Sequence, residues 1–567
     1  MDGGARLPGA GAKKLSAVEG LKAGSHRLRG RLAEELAEGG TQVSEDAYNL
    51  LKFHGTYEQH DRDTATALKQ AGQEKDYSFM VRVRMPAGRL TAAQYLALDA
   101  LSDRYATTGL RLTTRQGVQF HAIPKGDLKL AIADTNATLL TTQAACGDVV
   151  RNVMTTPAPV RDALHARLEA DARLLSGALL PASRAYHQIF LDEEKGSTDE
   201  AEPLYGATYL PRKFKIGLAA PTDNTPDVLT NDLGFLAICD ESGAITAYNV
   251  AVGGGLGMTH NNPRTYPRLA TIIGSVPAAD LVAVTEAVIR LQRDNGDRGD
   301  RRRARLKYVV DDLGVDWVRD TVGAYFGRPL DPARPMPPIE VPDLLGWHEQ
   351  GDGMGWLGVP VPSGRIDGAI KTALREIVAR FAPDPIMTPQ QDVLLSNIRP
   401  ADRAPIEAIL RAHGIALADG LSPISRWALA CPALPTCGLA LTEAERVREP
   451  LISEFETVLA RHGLSQERIS LRITGCPNGC VRPYAGEIGL VGRVPGAYAI
   501  YLGGDFAGTR LSFQLLDRVK VTDFGAIFDP ILGAFATSRA LGEEFGDFCA
   551  RIGRAGLLGL AGRAEAA

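Results

Sequence analysis

RVRMPAGRLT at residues 82–91 returns 276 residues later as GVPVPSGRID at residues 358–367. Val83, Pro86, Gly88 and Arg89 of the first copy fall on Val359, Pro362, Gly364 and Arg365 of the second. A further echo runs one residue out of phase: Thr113, Gln116, Val118 and Ile123 match Thr388, Gln391, Val393 and Ile398 at an offset of 275. Each copy reads as a strand, a Pro-Gly turn, a helix (91–105 and 368–381) and a second strand. A weaker pair follows, Gly243 to Gly257 against Gly496 to Gly508. The chain order is therefore A–B–A′–B′. Two copies are too few for a solenoid. The pattern predicts an internally duplicated α+β protein whose halves are related by a pseudo-two-fold axis, with a site between them. The Arg-rich stretch 298–307 and the Pro-rich stretch 328–343 mark the junction.

A chain of 567 residues can bury the cores of about three domains. A net charge of −4 argues against a general nucleic-acid binder. No run of ~20 apolar residues occurs, so no membrane span is expected. The N-terminus is rich in Ala, Gly, Lys and Glu and lacks the apolar core of a signal peptide. It reads as a flexible or weakly helical tail over 1–45, and the expected compartment is the cytoplasm.

Four of the seven cysteines form two tight pairs, Cys431/Cys437 in ACPALPTCG and Cys476/Cys480 in TGCPNGC. Four thiolates on two turns are what a cubane iron–sulfur cluster needs, one sulfur per iron. Proline and glycine bend the backbone around a bulky inorganic object and keep side chains clear of it. Zinc is the alternative, although its ribbons space each pair by two to four residues, and the gap after Cys431 is wider. Disulfides are less favoured in an intracellular chain of this size. Cys146, Cys239 and Cys549 are scattered and read as ordinary buried thiols.

Arginine and lysine cluster on strand-like segments. Arg82 and Arg84 alternate with valines and share a face. Arg115 and Gln119 lie in TTRQGVQFH, Arg151 in CGDVVRNV, and Arg212, Lys213 and Lys215 in YLPRKFK. Singly, each reads as a solvated strand face. Together they point to a large anionic ligand, because aligned cations otherwise leave unpaired charge. The run Gly253-Gly254-Gly255-Leu256-Gly257 lacks GxGxxG spacing. It reads as a glycine-rich strand end beside a cofactor, so the chain is not expected to collect its own hydride equivalents.

With these residues assembled, the chain resembles the siroheme-dependent sulfite and nitrite reductases, from KFHGTY at 52–57 to GEEFGDF at 542–548. It is most similar to the assimilatory sulfite-reducing hemoproteins. The resemblance implies a three-domain fold: tail 1–45, a ferredoxin-like half-domain 46–155, a siroheme-binding domain 156–340, a second ferredoxin-like half 341–420, and a siroheme and [4Fe–4S] domain 421–567. It implies a [4Fe–4S] cluster on Cys431, Cys437, Cys476 and Cys480, with Cys480 bridging to the siroheme iron. It assigns Arg115, Gln119, Arg212 and Asn478 to the siroheme. Arg298, Arg301, Arg302, Arg303, Arg305 and Lys307 could add to these or form a solvated loop. Arg82, Arg151, Lys213 and Lys215 match the family's substrate-anion residues. Siroheme carries eight carboxylates, which agrees with the excess of cations.

The expected activity is six-electron reduction of sulfite to sulfide, with electrons from a separate flavoprotein or ferredoxin. Nitrite reduction to ammonia is the close alternative; related nitrite reductases tend to carry Asn where this chain has Lys215, and the extra cation suits dianionic sulfite better. A non-catalytic protein with a structural metal on the same fold is a remoter one, and retention of the Arg/Lys set speaks against it. A monomer, or one subunit of a larger reductase, is expected, since the internal pseudo-dimer already builds the site.

Overall fold

The two Pro-Gly turns of the repeat are where the halves exchange strands. In the computed structural model, which describes residues 14–193 and 202–563, Pro86–Gly88 and Pro362–Gly364 form matching one-turn 3-10 helices. Gly88 (φ +70°) and Gly364 (φ +71°) follow Ala87 and Ser363, which are also left-handed. The chain leaving the second turn, Arg365–Ile366, pairs with Leu110–Leu112 of the first copy, Arg365 opposite Arg111. The chain leaving the first turn returns the contact: Arg89 bridges Ile386, and the Leu90 N–H donates to the Pro385 carbonyl at 3.0 Å. A side chain at Gly88 would begin 2.3 Å from the Met387 carbonyl oxygen, and one at Gly364 2.7 Å from that of Leu112. Glycine is required at both crossings. Gln116 and Gln391 hold the two turns alike, each donating its amide N–H to the carbonyl of Ala87 or Ser363.

Each exchanged unit is an antiparallel sheet. The first runs Thr56–His60, Tyr77–Val83, Val118–Ile123, Leu110–Leu112 and then the borrowed Arg365–Ile366. The second runs Gly346–Glu349, Gly355–Val359, Val393–Ile398 and Asp384–Met387. Helices Ala92–Tyr105 and Gly368–Phe381 follow the two turns, over the spans expected. They meet across the pseudo-axis, where Lys371 donates to the Asp99 carbonyl at 3.2 Å.

The larger sheets repeat as well. Val150–Met154, Phe214–Ala219 and Leu233–Cys239 run parallel, followed by antiparallel Ile245–Val252 and Thr271–Pro277. Ala428–Ala430, Leu471–Thr474, Ile488–Val494, Ala497–Leu502 and Phe513–Lys520 follow the same order and directions. The weak Gly243/Gly496 echo superposes the fourth strand of one sheet on that of the other. The architecture is the duplicated α+β fold expected.

Two expectations need correction. From residue 14 the N-terminal segment is not a loose tail. Helix Ala17–Gly24 buries Glu19 and Lys22, each 1% exposed. Lys22 lies 2.5 Å from Glu19 and donates to the Leu210 carbonyl at 2.8 Å, and Arg298 also pairs with Glu19. Charges that read as solvated are mutually neutralised inside the protein; residues 1–13 lie outside the described residues. The Arg-rich stretch 298–307 is likewise folded inward rather than forming a simple junction. Arg301 pairs with buried Asp148 at 2.8 Å, and Arg305 makes two 2.8 Å contacts with Asp232.

Candidate active site

Both cysteine pairs begin at the C-terminal ends of neighbouring parallel strands, a position where open α/β sheets place ligands. Cys431 follows Ala428–Ala430 directly, and its N–H donates to the Ile473 carbonyl at 3.2 Å. Cys476 comes two residues after Leu471–Thr474. The Gly475 N–H points at the Cys431 sulfur (3.4 Å), and the Asn478 amide at that of Cys476 (3.4 Å). Gly475 and Gly492 permit the crowding: a side chain at Gly492 would begin 2.3 Å from the Gly475 carbonyl oxygen. The Met258 N–H donates to the Pro477 carbonyl at 2.9 Å and Thr114 Oγ1 to that of Cys480 at 2.8 Å, so the first half clamps the second cysteine turn.

None of the four cysteines is in a disulfide, and Cys480 alone of them is exposed, where it borders a cavity. Burial first, and then the neighbouring Cys480, pushes the thiols of Cys431 and Cys437 up and that of Cys476 to about 12. Thiolates so placed need a cationic partner to ionise. Among the described residues no three His, Cys, Asp or Glu side chains close around one metal ion. The charge of Cys480 is felt by the other three sulfurs, so the four lie near enough to serve one cationic group, and a [4Fe–4S] cluster fits this donor set.

Opposite the cysteines lies the matching strand pair of the first half. Lys213 and Lys215 sit at the start of Phe214–Ala219, and Arg151 on Val150–Met154. Lys213, Lys215, Arg115 and Arg305 line the cavity together with Asn478 and Cys480. Burial, reinforced by Arg151 and Lys215, drives the Lys213 ammonium well below its ordinary pKa; burial and then Arg115 do the same to Lys215. Arg115 donates to Asn231 Oδ1 at 2.8 Å, and its Nε is buried without a partner. Arg212 stands 3.9 Å from Asp148.

Arg82 and Arg151 form an adjoining cluster with Tyr57 and Cys146. Arg82 Nη1 lies 3.1 Å from the Cys146 sulfur, and Arg82 Nε is a second buried orphan. Tyr57 holds its buried hydroxyl near enough to Cys146 and Arg151 to feel both charges. Its hydroxyl is pushed up to about 12, first by burial and then by Cys146. Cys146 is buried as expected, but beside Arg82 rather than in a purely apolar core. Gln119 faces Arg82 across the strands, but its amide is directed to Met80 Sδ at 3.2 Å and it does not line the cavity.

Cations therefore outnumber the nearby carboxylates Asp148 and Asp232, and two guanidinium nitrogens are orphaned. Such a site fits a polycarboxylate group such as siroheme. Reasoning from sequence overlooked Tyr57, Cys146, Asn231 and Asp232; the one available signal was the bend-forming ACGD at residues 145–148, just ahead of Arg151. The glycine run borders the cavity through Gly257, and its other glycines fill tight crossings: a side chain at Gly254 would begin 2.3 Å from the Asn231 carbonyl oxygen.

Comparison with known proteins agrees with this construction. The model of the nitrite and sulphite reductase 4Fe-4S domain matches residues 170–330, and that of the nitrite/sulfite reductase ferredoxin-like half domain matches 71–137 and 348–413. The chain is 44% identical to "Sulfite reductase [ferredoxin]" of Synechococcus elongatus, covering 96% of this chain and 91% of that protein. It is 45% identical to "Sulfite reductase [NADPH] hemoprotein beta-component" of Myxococcus xanthus, covering 95% and 97%. Among solved structures, the Mycobacterium tuberculosis NirA protein aligns with a TM-score of 0.78 at 26% identity, over 96% of this chain and 98% of that one. The chain belongs to the nitrite and sulfite reductase family.

Proposed function

We propose that this protein is an assimilatory sulfite reductase that converts sulfite to sulfide with siroheme and a [4Fe–4S] cluster. The observation that carries the reading is the meeting of Lys213, Lys215 and Arg115 with Asn478 and Cys480 around one cavity. Cys431, Cys437, Cys476 and Cys480 would hold the cluster, with Cys480 shared with the siroheme. Arg115 and Arg212 would neutralise siroheme carboxylates and Asn478 would donate a hydrogen bond to them; Gln119 would have to turn away from Met80 to do the same. When bound, the coupled pair supplies electrons one at a time to a single iron.

The chain's own residues do the rest. Sulfite takes up six electrons and seven protons to give bisulfide and three waters, so each departing oxygen must be protonated. Arg82 and Arg151 are permanent cations and orient the sulfite oxygens. Lys213 and Lys215, whose ammonium pKa values are depressed, hand protons to those oxygens. A dianion suits this charge better than monoanionic nitrite does. Electrons come from a separate ferredoxin or NADPH-linked flavoprotein, the two donors in the relatives' names. No helix is long and apolar enough to cross a membrane among the described residues, and we place the enzyme in the cytoplasm, as a monomer or one subunit of a larger reductase. The working division is 46–155 and 341–420 as ferredoxin-like halves, 156–340 as the first siroheme-binding domain and 421–567 as the siroheme and [4Fe–4S] domain, with the first boundary moved ahead of Val150–Met154, which pairs within the larger sheet.

The test is an absorption spectrum of protein expressed with siroheme synthesis supplied, followed by methyl-viologen-driven sulfide and ammonia assays on the same sample. A siroheme spectrum, about four cluster irons per chain and sulfide formed in preference to ammonia are expected. Siroheme with ammonia strongly preferred would reassign the substrate, and a colourless zinc protein would remove the enzyme reading.

A further inference from the structure

A second cavity, of about 500 Å³, lies apart from the cysteine and lysine site and shares no lining residue with it. It opens where three parts of the chain meet: the segment after the first Pro-Gly turn, helix Ala163–Ala178, and the ends of strands Asp384–Met387 and Val393–Ile398. Its volume is that of a pocket for a small organic molecule.

The charge inside is not balanced. Glu169 is shared between Arg89 (3.0 Å) and Arg173 (2.8 Å). Arg161 donates to Asn397 Oδ1 at 2.7 Å, with Asp352 3.6 Å away. Asp384, the other lining carboxylate, already accepts the Ala92 N–H at 3.2 Å and the Asn397 amide at 2.9 Å. Arg84 adds charge but offers no spare donor group, since its Nε, Nη1 and Nη2 all donate to Ser176, Ala144 and Val150. Four guanidinium groups therefore face two carboxylates, and Arg89 Nε, the atom paired with Glu169, makes no well-aligned hydrogen bond. Burial, with the charges of Arg161 and Arg173, lowers the Arg89 pKa although Glu169 stands beside it. Leu90, Leu140 and Leu180 make an apolar part of the remaining wall beside Thr91, Gln94, Thr141 and Ser396, and Leu139 stands 91% exposed on the lining in a left-handed conformation.

We propose that this cavity binds a small organic dianion, a phosphate monoester or a dicarboxylate on an apolar body, with Arg89, Arg161 and Arg173 on the charged group and the leucines against the body. Guanidinium forks match both oxyanions, and a cavity that is half apolar favours a ligand with more than a charged head.

Isothermal titration of the holoenzyme with phenyl phosphate, phthalate and inorganic phosphate, each with saturating sulfite present, tests this. One organic dianion is expected to bind once per chain and more tightly than inorganic phosphate; which of the two binds better identifies the head group. The double variant Arg161→Ala/Arg173→Ala should weaken binding by about tenfold or more, the loss expected for one charge-assisted hydrogen bond. Both side chains are more than half exposed, at 54% and 57%, so the fold should tolerate their loss. Gly177→Met supplies an independent arm. Nothing lies within 4 Å of a Cβ built there, so the longer side chain would take up part of the cavity with every charge in place and weaken binding. The proposal is overturned by no saturable binding at millimolar concentrations, by inorganic phosphate binding as tightly as the organic dianions, or by unchanged affinity in both variants. Displacement by sulfite would also overturn it, since the ligand would then sit at the substrate site. The two variants decide the matter even if the sulfite reading fails.

Discussion

Lys213 and Lys215 are two residues apart on extended backbone and so face the same side, toward Arg115, Arg151 and Cys480. In the proton-donating role proposed for them they would work in the ammonium form. A pKa lowered from 10.5 means that this form is lost at a lower pH than for a free lysine. Activity should therefore fall as pH rises through that lowered value. Replacing Lys213 by Met should reduce kcat by about 10²–10³-fold, the scale of one lost proton donor or charge-stabilising group. Lys213→Arg should retain sulfite binding but lose the alkaline limb, because a guanidinium does not titrate there. Steady-state profiles of kcat and KM against pH separate these outcomes. At this scale the cysteines were legible because a cluster dictates both the residue type and the turns that present it. That the two lysines share a face was legible from strand alternation, and the structure sets both on the cavity. Tyr57 and Cys146 were not, because a tyrosine and a lone cysteine read as core until a folded chain sets them beside two arginines.

The repeat was visible in the sequence at its turns, and the structure supplies the reason. A left-handed glycine that also passes within van der Waals distance of another backbone admits no substitute, so Gly88 and Gly364 stay while the flanking residues differ. Gly88→Val should cost about 2–4 kcal/mol, from positive-φ strain plus the clash with Met387. Gly72→Val, at φ +69° with open space around it, isolates the strain alone and should cost less. Thermal unfolding midpoints of the two variants give the comparison. The second helix is legible from its apolar period; the first has almost none and buries Asp99 and Ser102 with Tyr95 and Leu98, while Thr91 and Gln94 close a capping box at its start. The exchange of strands was not, since Arg365 meets Arg111 across more than 250 residues and no local pattern announces a pairing at that separation.

On the scale of the whole molecule, Glu445 joins three parts. It precedes helix Arg448–Arg461 of the cysteine-bearing domain and receives both Arg111 and Arg365, one from each ferredoxin-like half. Arg111 is 1% exposed, so removing its partner leaves a buried charge, and Glu445→Gln should destabilise the fold by about 3–5 kcal/mol. Burial opposes ionisation of Glu445, but the two arginines prevail and hold its carboxyl below 4.5. The stabilisation is therefore complete above the unfolded pKa and lost as pH falls through the folded one. The difference in melting temperature between wild type and Glu445→Gln should shrink from pH 7 toward pH 4. The pseudo-two-fold axis has one more consequence. Two identical subunits around such an axis must carry every substitution twice, and any change that helps one site is imposed on its twin. Copies joined in tandem are released from that constraint. One pair of parallel strands can keep its sulfur ligands and the other its lysines, and the chain gains a single lopsided centre where a symmetric ancestor would have been confined to two equal ones.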